Sequence, residues 1–230
     1  PVKTVSAPTP APASLDHSEW FKGHKKLEME VFPMPSTMHG GSGYTAIQAD
    51  DAGHIYIGGA FYGKFSPLMQ LDPKTAQWRL LFRSDELSHQ YGRGVGVPGK
   101  IHTKLRLGDD GKIYGAMKQG YEFQFDIRPD MGESPEGKRG GYLPSHFFVY
   151  DPKTDRTEDL GPGFKQDGTV GFCADTKRGY LYGMTEPSAY FEVYDLKSKR
   201  MWIAGPVWGT SSNRYMVIDH STGRVYHKGE

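Results

Sequence analysis

The chain has 230 residues, with 28 Lys+Arg against 27 Asp+Glu, giving a formal net charge of +1. That balance argues against nucleic-acid and membrane-surface proteins, which carry a basic excess, and no apolar run approaches the roughly 18 residues of a membrane span. Glycine (30) and proline (16) make up a fifth of the chain and interrupt nearly every segment, which excludes a helical bundle and leaves an all-β fold as the expectation.

The first fifteen residues, PVKTVSAPTPAPASL, hold four prolines among small residues, and residues 1–17 read as a solvated linker of polyproline character. Such a segment is what remains after an export signal is removed, so an extracytoplasmic location, periplasmic or secreted, is expected. The single cysteine, Cys173, excludes an intrachain disulfide, a thiolate zinc cluster and a C-x-x-C-H haem site, and no cofactor is expected. Residues 18–35, SEWFKGHKKLEMEVFPMP, are expected to supply outer strands.

From residue 43 onward a repeat sets the architecture. TAIQADDAGHIY (45–56), TKLRLGDDGKIY (103–114), GFCADTKRGYLY (171–182) and YMVIDHSTGRVY (215–226) share a short alternating strand, an acidic turn, Gly, an aliphatic residue and Tyr. Apolar/polar alternation on both sides of a turn glycine is a hairpin signature. A second hairpin follows the first three: PLMQLDPKTAQWRLLF (67–82), HFFVYDPKTDRTEDLG (146–161) and YFEVYDLKSKRMWIAG (190–205). In the first two, Asp-Pro-Lys-Thr suits a type I turn, with Pro presetting φ.

Two hairpins per unit make a four-stranded antiparallel sheet. The turn glycines Gly53, Gly111, Gly179 and Gly223 give periods of 58, 68 and 44, the extra length falling between second and third strands and greatest at 121–143. Repeated four-stranded meanders at such spacing predict a β-propeller, with repeats near 43–82, 100–161, 168–205 and 206–230 inside a domain of 18–230. A β-sandwich of hairpins is the competing arrangement, and it does not need the same motif four times. The fourth repeat carries only its first hairpin. Either residues 18–35 complete a four-bladed ring, which would remove a free sheet edge, or the four repeats begin a ring of six to eight blades.

The succession KIHTKLRLGDDGKIYGA, HFFVYDPKTDRTEDLG and GYLYGMTEPSAYFEVYDLKSKRMWIAG resembles secreted bacterial propellers of the broad NHL, SMP-30 and YncE-like type, over about residues 40–226. The resemblance implies the fold and no particular activity, because these blades recur in enzymes, binders and scaffolds alike.

In a propeller the start of the innermost strand and the connection from second to third strand share one face, where ligands commonly bind. Nine residues before each turn glycine stand Tyr44, His102, Val170 and Arg214. The second-to-third connections carry Phe61, Tyr62 and Lys64, then Lys118 and Tyr121, then Glu186 and Tyr190, then His227 and Lys228, with His146 nearby; the 121–143 insertion adds Arg128, Asp130, Glu133 and Arg139. Two functions follow. A binding or assembly module would use Lys118, Tyr121, His146, Glu186, Tyr190 and His227 toward a protein partner or a glycan, or toward the remainder of a larger propeller. A lyase acting on a uronic-acid glycan would use His102 and Tyr44 for proton transfer and Arg214 to neutralise the carboxylate.

Other chemistries find less support. No two of the nine histidines fall at H-x-H or H-x-x-x-H spacing, and the acidic turns Asp50-Asp51 and Asp109-Asp110 lack the calcium-loop pattern, so no metal is expected. HGGSG (39–43) and YGRGVGVPG (91–99) precede innermost strands and lack the phosphate-loop Lys-Ser/Thr. Cys173 lies inside the alternating GFCAD strand and is expected as a small buried hydrophobe.

Overall fold

The computed structural model describes residues 30–39, 41–61, 65–90, 98–118, 144–164, 167–186, 188–207 and 214–227. Over these residues the chain is all-β, built of antiparallel sheets stacked as the blades of a propeller. Blade 1 contains β1 (Ile47–Ala49), β2 (Ile55–Gly58), β3 (Pro67–Asp72) and β4 (Gln77–Arg83), followed by a four-residue helix, Ser84–Leu87. Blade 2 contains β5 (Arg106–Leu107), β6 (Ile113–Ala116), β7 (His146–Asp151) and β8 (Arg156–Pro162). Blade 3 contains β9 (Gly168–Asp175), β10 (Tyr180–Glu186), β11 (Tyr190–Asp195) and β12 (Arg200–Pro206). Blade 4 is described by β13 (Met216–Asp219) and β14 (Arg224–His227) alone. Strands pair in sequence order within every sheet, and β5 packs beside β1, β9 beside β5 and β6, and β13 beside β9. Among the described residues no helix is long and apolar enough to cross a membrane.

The repeated residues perform repeated jobs. All four turn glycines hold positive φ, between 76° and 92°, where a side chain would be strained. In blade 1 the turn acid Asp50 accepts from the backbone N–H groups of Ala52 and His54 through Oδ1 and from the Tyr56 hydroxyl at 2.8 Å through Oδ2. In blade 2 Asp110 accepts from Tyr114 at 2.7 Å. The Tyr after each of these turns therefore closes its own hairpin, and burial beside the acid raises the pKa of both phenols. In the second hairpins, Asp72, Asp151 and Asp195 each accept from the backbone N–H two residues later at 2.8–2.9 Å. The fifth residue of each such turn, Ala76, Asp155 or Lys199, takes a left-handed φ of 53–56° without being glycine.

One regularity is marked in the sequence in two blades alone, by the positive-φ glycines Gly161 and Gly205. The third strands of all three complete blades shift register against the fourth at the same place, Leu68/Met69, Phe147/Phe148 and Phe191/Glu192. A bulge there sharpens the local twist of the outer strand.

The core lies between blades rather than within them. Between blades 1 and 2, Tyr56, Leu68 and Phe82 meet Ile101, Leu105, Ile113, Phe148 and Tyr150, with Phe82 edge-on to Phe148 at 4.9 Å. Between blades 2 and 3, Tyr114, Phe147 and Val149 meet Phe172, Ala174 and Leu181. Between blades 3 and 4, Cys173, Met184 and Phe191 meet Met216, Ile218 and Val225. Cys173 is buried, and desolvation raises its thiol pKa, which keeps it in the unreactive form.

The N-terminal expectation meets only part of the described chain. Residues 30–35 form no strand, and residues 18–29 of the expected outer strands lie outside the described residues, as does the linker 1–17. A 3-10 turn, Ser36–Met38, follows instead. Met34 and Met38 pack on Ile57, Met69, Trp78 and Phe61, covering part of the face of blade 1 turned away from blade 2 and leaving Ile47 and Leu80 on it exposed.

Candidate functional site

At one end of the stack the strand ends are linked within and between blades 1 and 2. Ser42 pairs with Ala60, Ala60 with Lys100, and Lys100 with Lys118, all as antiparallel bridges. Lys100 and Lys118 exchange both backbone hydrogen bonds, at 3.0 and 2.7 Å. Residues directly opposite in an antiparallel pair project to the same side, so the two lysines rise together from this rim. They are 8% and 5% exposed, and Glu186, at the end of β10 in blade 3, is 8% exposed. Lys118 Nζ lies 3.0 Å from a Glu186 carboxylate oxygen, an ion pair joining blades 2 and 3.

His102 and Tyr44 adjoin this rim. Their rings stack at 4.4 Å with a 46° tilt, His102 buried and Tyr44 43% exposed. The Thr45 hydroxyl donates to the His102 carbonyl at 2.9 Å, tying the starts of two innermost strands.

A polar network stands behind Glu186. Asp167 accepts from the Thr185 hydroxyl at 2.7 Å and from the N–H and hydroxyl of Ser188 at 3.1 and 3.0 Å, which fixes the connection on both sides of Glu186. Two residues on, the Thr169 hydroxyl donates to Glu192 Oε1 at 2.8 Å, and Glu192 Oε2 accepts from the Phe164 N–H at 3.1 Å. Glu192 has no exposed surface, and burial pushes its carboxyl up to about 7 against those two hydrogen bonds. Gly183 makes room for it, since a Cβ there would lie 2.5 Å from the Glu192 carboxylate.

The remaining predicted residues scatter. His146 Nδ1 lies 2.8 Å from Asp159, a cross-strand pair inside blade 2. Tyr190 stacks on Phe164 at 4.7 Å and donates its backbone N–H to Thr185. Arg214 is exposed before β13, beside Tyr215, whose ring lies 5.8 Å from Lys104 Nζ. His227 ends β14 opposite Met216 and is exposed. Val170 lies inside β9 and is buried, so the start of that innermost strand is Asp167–Thr169 rather than residue 170. Tyr121 lies outside the described residues, as do Tyr62, Lys64, Lys228 and the 121–143 insertion. No group of three His, Cys, Asp or Glu among the described residues is placed to hold a metal ion.

Sequence reasoning passed over Lys100, Asp167 and Glu192. Glu192 had a signal: it shares strand parity with Tyr194, which faces the core between blades 2 and 3. Lys100 and Asp167 sit in inter-blade connections without periodicity, where only the pairing of two distant strands brings them to the rim.

Neither a family model nor a curated protein sequence matches the chain. Solved structures do resemble it. The extracellular domain of a protein assigned as a hybrid two component system from B. thetaiotaomicron is 14% identical with a TM-score of 0.50, over 80% of this chain and 19% of that one. An auxiliary nutrient binding protein from Bacteroides thetaiotaomicron is 10% identical with a TM-score of 0.50, over 81% of this chain and 36% of that one. A β-propeller domain of Cps50 (Swd1) from Myceliophteria thermophila is 13% identical with a TM-score of 0.41, over 71% and 42%. The chain thus spans less than half the length of each. At these identities the likeness is one of fold, and none of the three names the NHL, SMP-30 or YncE-like type.

Proposed function

We propose that the chain is a ligand-binding propeller module working outside the cytoplasm, and that its ligand seats on the rim formed by Tyr44, Lys100, His102, Lys118 and Glu186. One observation carries this reading. Three charged side chains from two blades are buried together at one end of the stack. A buried ion pair is a poor source of stability, because desolvating both partners offsets their attraction, so a fold needing only cohesion is served as well by apolar residues here. A binding site is served by fixed polar groups, and the hydrogen bonds of Asp167 hold Glu186 in place without the ligand. The half-exposed Tyr44 ring, backed by His102, offers the flat apolar surface on which a sugar ring stacks, and the lysines suit an acidic glycan. The location rests on the Pro/Ala-rich residues 1–17, the single cysteine and the likeness to an extracellular domain.

The test is a panel of acidic and neutral oligosaccharides measured by calorimetry against the wild type and a Lys118→Met, Glu186→Leu double variant. The paired replacement removes both charges together, so the fold survives. Binding of an acidic member, lost in the double variant at unchanged melting temperature, is the expected result. Equal affinity in the two proteins would place the ligand elsewhere, and no binding across the panel would remove the glycan reading.

A further inference from the structure

The residues facing from one blade to the next obey a fixed register. Each hairpin tyrosine pairs with an innermost-strand residue on the side turned toward the following blade: Tyr56 with Gln48, Tyr114 with Arg106, Tyr182 with Cys173. The following blade covers all three sites. Tyr56 is 0% and Tyr114 3% exposed, and Cys173 and Tyr182 pack against Met216, Ile218 and Val225 of blade 4.

Blade 4 has the same construction. Tyr226 pairs with Val217. Alternation along β13 and β14 turns Met216, Ile218 and Val225 toward blade 3, and therefore Val217 and Tyr226 to the opposite side. Here the two residues are exposed, Val217 at 60% and Tyr226 at 50%, with Tyr215 beside them at 64%. An apolar cluster of this kind marks an interaction surface. The opposite end of the stack is partly covered: Met34 and Met38 pack on Ile57 and Met69 of the free face of blade 1, while Ile47 and Leu80 on that face are 58% and 43% exposed. Stacked repeats need such caps at their ends, and among the described residues the face of blade 4 has none.

We propose that the face of β13–β14 bearing Tyr215, Val217 and Tyr226 is the docking surface for a further blade of the same four-stranded repeat, residues 30–227 being one arc of a larger propeller. The occupant follows from continuity. What covers this register at three successive interfaces is the first hairpin of the next blade, which brings apolar residues from its two inner strands, as Leu105 and Ile113, then Phe172 and Leu181, then Met216 and Val225. This inference does not rest on the ligand site at the rim.

The test compares the 230-residue chain with the polypeptide recovered from its native source by an antibody against that chain. Intact mass and hydrogen exchange are measured on both. The expected native polypeptide is heavier than 25.7 kDa, and its amides at 216–219 and 224–227 exchange about tenfold slower or more than in the 230-residue chain. A Val217→Asp, Tyr226→Asp variant of the longer polypeptide loses that protection, while exchange in β5–β8 is unchanged. The same pair of substitutions in the 230-residue chain, where both side chains face water, leaves its melting temperature unchanged and so controls for folding. A native polypeptide of 25.7 kDa overturns the proposal, whether it runs as a monomer or as a dimer that protects Tyr226 with a second copy. A heavier polypeptide with unaltered exchange at β13–β14 also overturns it.

Discussion

Blade 1 and blade 4 end the same stack differently, the first with its outward face partly covered and the second with it open. On blade 1 the sulfur-bearing side chains of Met34 and Met38 lie over Ile57, Met69 and Trp78, and an irregular segment takes the place of a neighbouring sheet. Methionine suits that task, because its unbranched chain fits an uneven surface that no partner strand has shaped. On blade 4 the corresponding outward face keeps the aromatic and branched residues that elsewhere meet a sheet. The lesson is that a blade's outward face is specified by its own hairpin, whereas whether it is covered depends on a separate segment.

The contrast can be broken or sharpened by substitution. The largest effect belongs to the buried stack that both ends bound. Phe148 is fully buried against Phe82, and Phe148→Ala is expected to cost about 3–5 kcal/mol in denaturant unfolding. Tyr226→Ala at the open end of the 230-residue chain is expected to cost less than about 0.5 kcal/mol. Equal costs would mean that the face of blade 4 is covered after all.

Next in size is Glu192, in the seam between blades 2 and 3. Its folded pKa is about 7, raised from 4.5. The folded chain thus holds a proton that the unfolded chain releases. Its stabilising contribution is complete below about pH 4.5 and is lost as pH rises through about 7. Glu192→Gln keeps the neutral form at every pH, so the variant should gain up to about 3 kcal/mol over wild type at pH 8 and nothing at pH 4. A gain that does not change with pH would assign the effect to packing.

Met38→Ala uncaps blade 1 and should cost about 2 kcal/mol, with increased binding of an apolar dye. It extends the exposed part of that face, where Ile47 and Leu80 already meet water. Smaller again, though above the near-zero cost at Tyr226, is the effect of Arg178→Ala. Arg178 pairs with Asp175 at 2.9 Å and donates to the carbonyls of His220 and Ser221 in the turn of blade 4, both at 3.1 Å. Its loss should cost about 1 kcal/mol and speed amide exchange at 216–227 alone.

The blades were legible because their signals are local. A turn glycine, an acid that accepts from a nearby Tyr, and period-two alternation are all written within a dozen residues. The common bulge in β4, β8 and β12 was less so, since it arises from the pairing of two strands, and although Gly161 and Gly205 stand at it with positive φ, Phe82 takes that place in blade 1. The site was legible in part for the same reason. His102, Tyr44, Lys118 and Glu186 stand at strand ends that counting from a glycine can find. Counting failed at Val170, because the turn of blade 3 is one residue shorter between its paired strands and β9 starts earlier. Lys100 depends on a bridge to a residue 18 positions away, and the partnership of Asp167 with Ser188 depends on a loop closing back on it.

Arg106 sets how this architecture melts. Its guanidinium donates to the Phe172 carbonyl in blade 3 and to the Met216 carbonyl in blade 4, at 3.3 and 3.4 Å, from an innermost strand of blade 2. A stack in which each unit touches only its neighbours can fray one unit at a time. A side chain that also reaches the next unit but one, across 110 residues of sequence, couples the loss of one blade to the loosening of two others. Blades 2, 3 and 4 should therefore unfold in one transition, with blade 1 the unit free to depart from it.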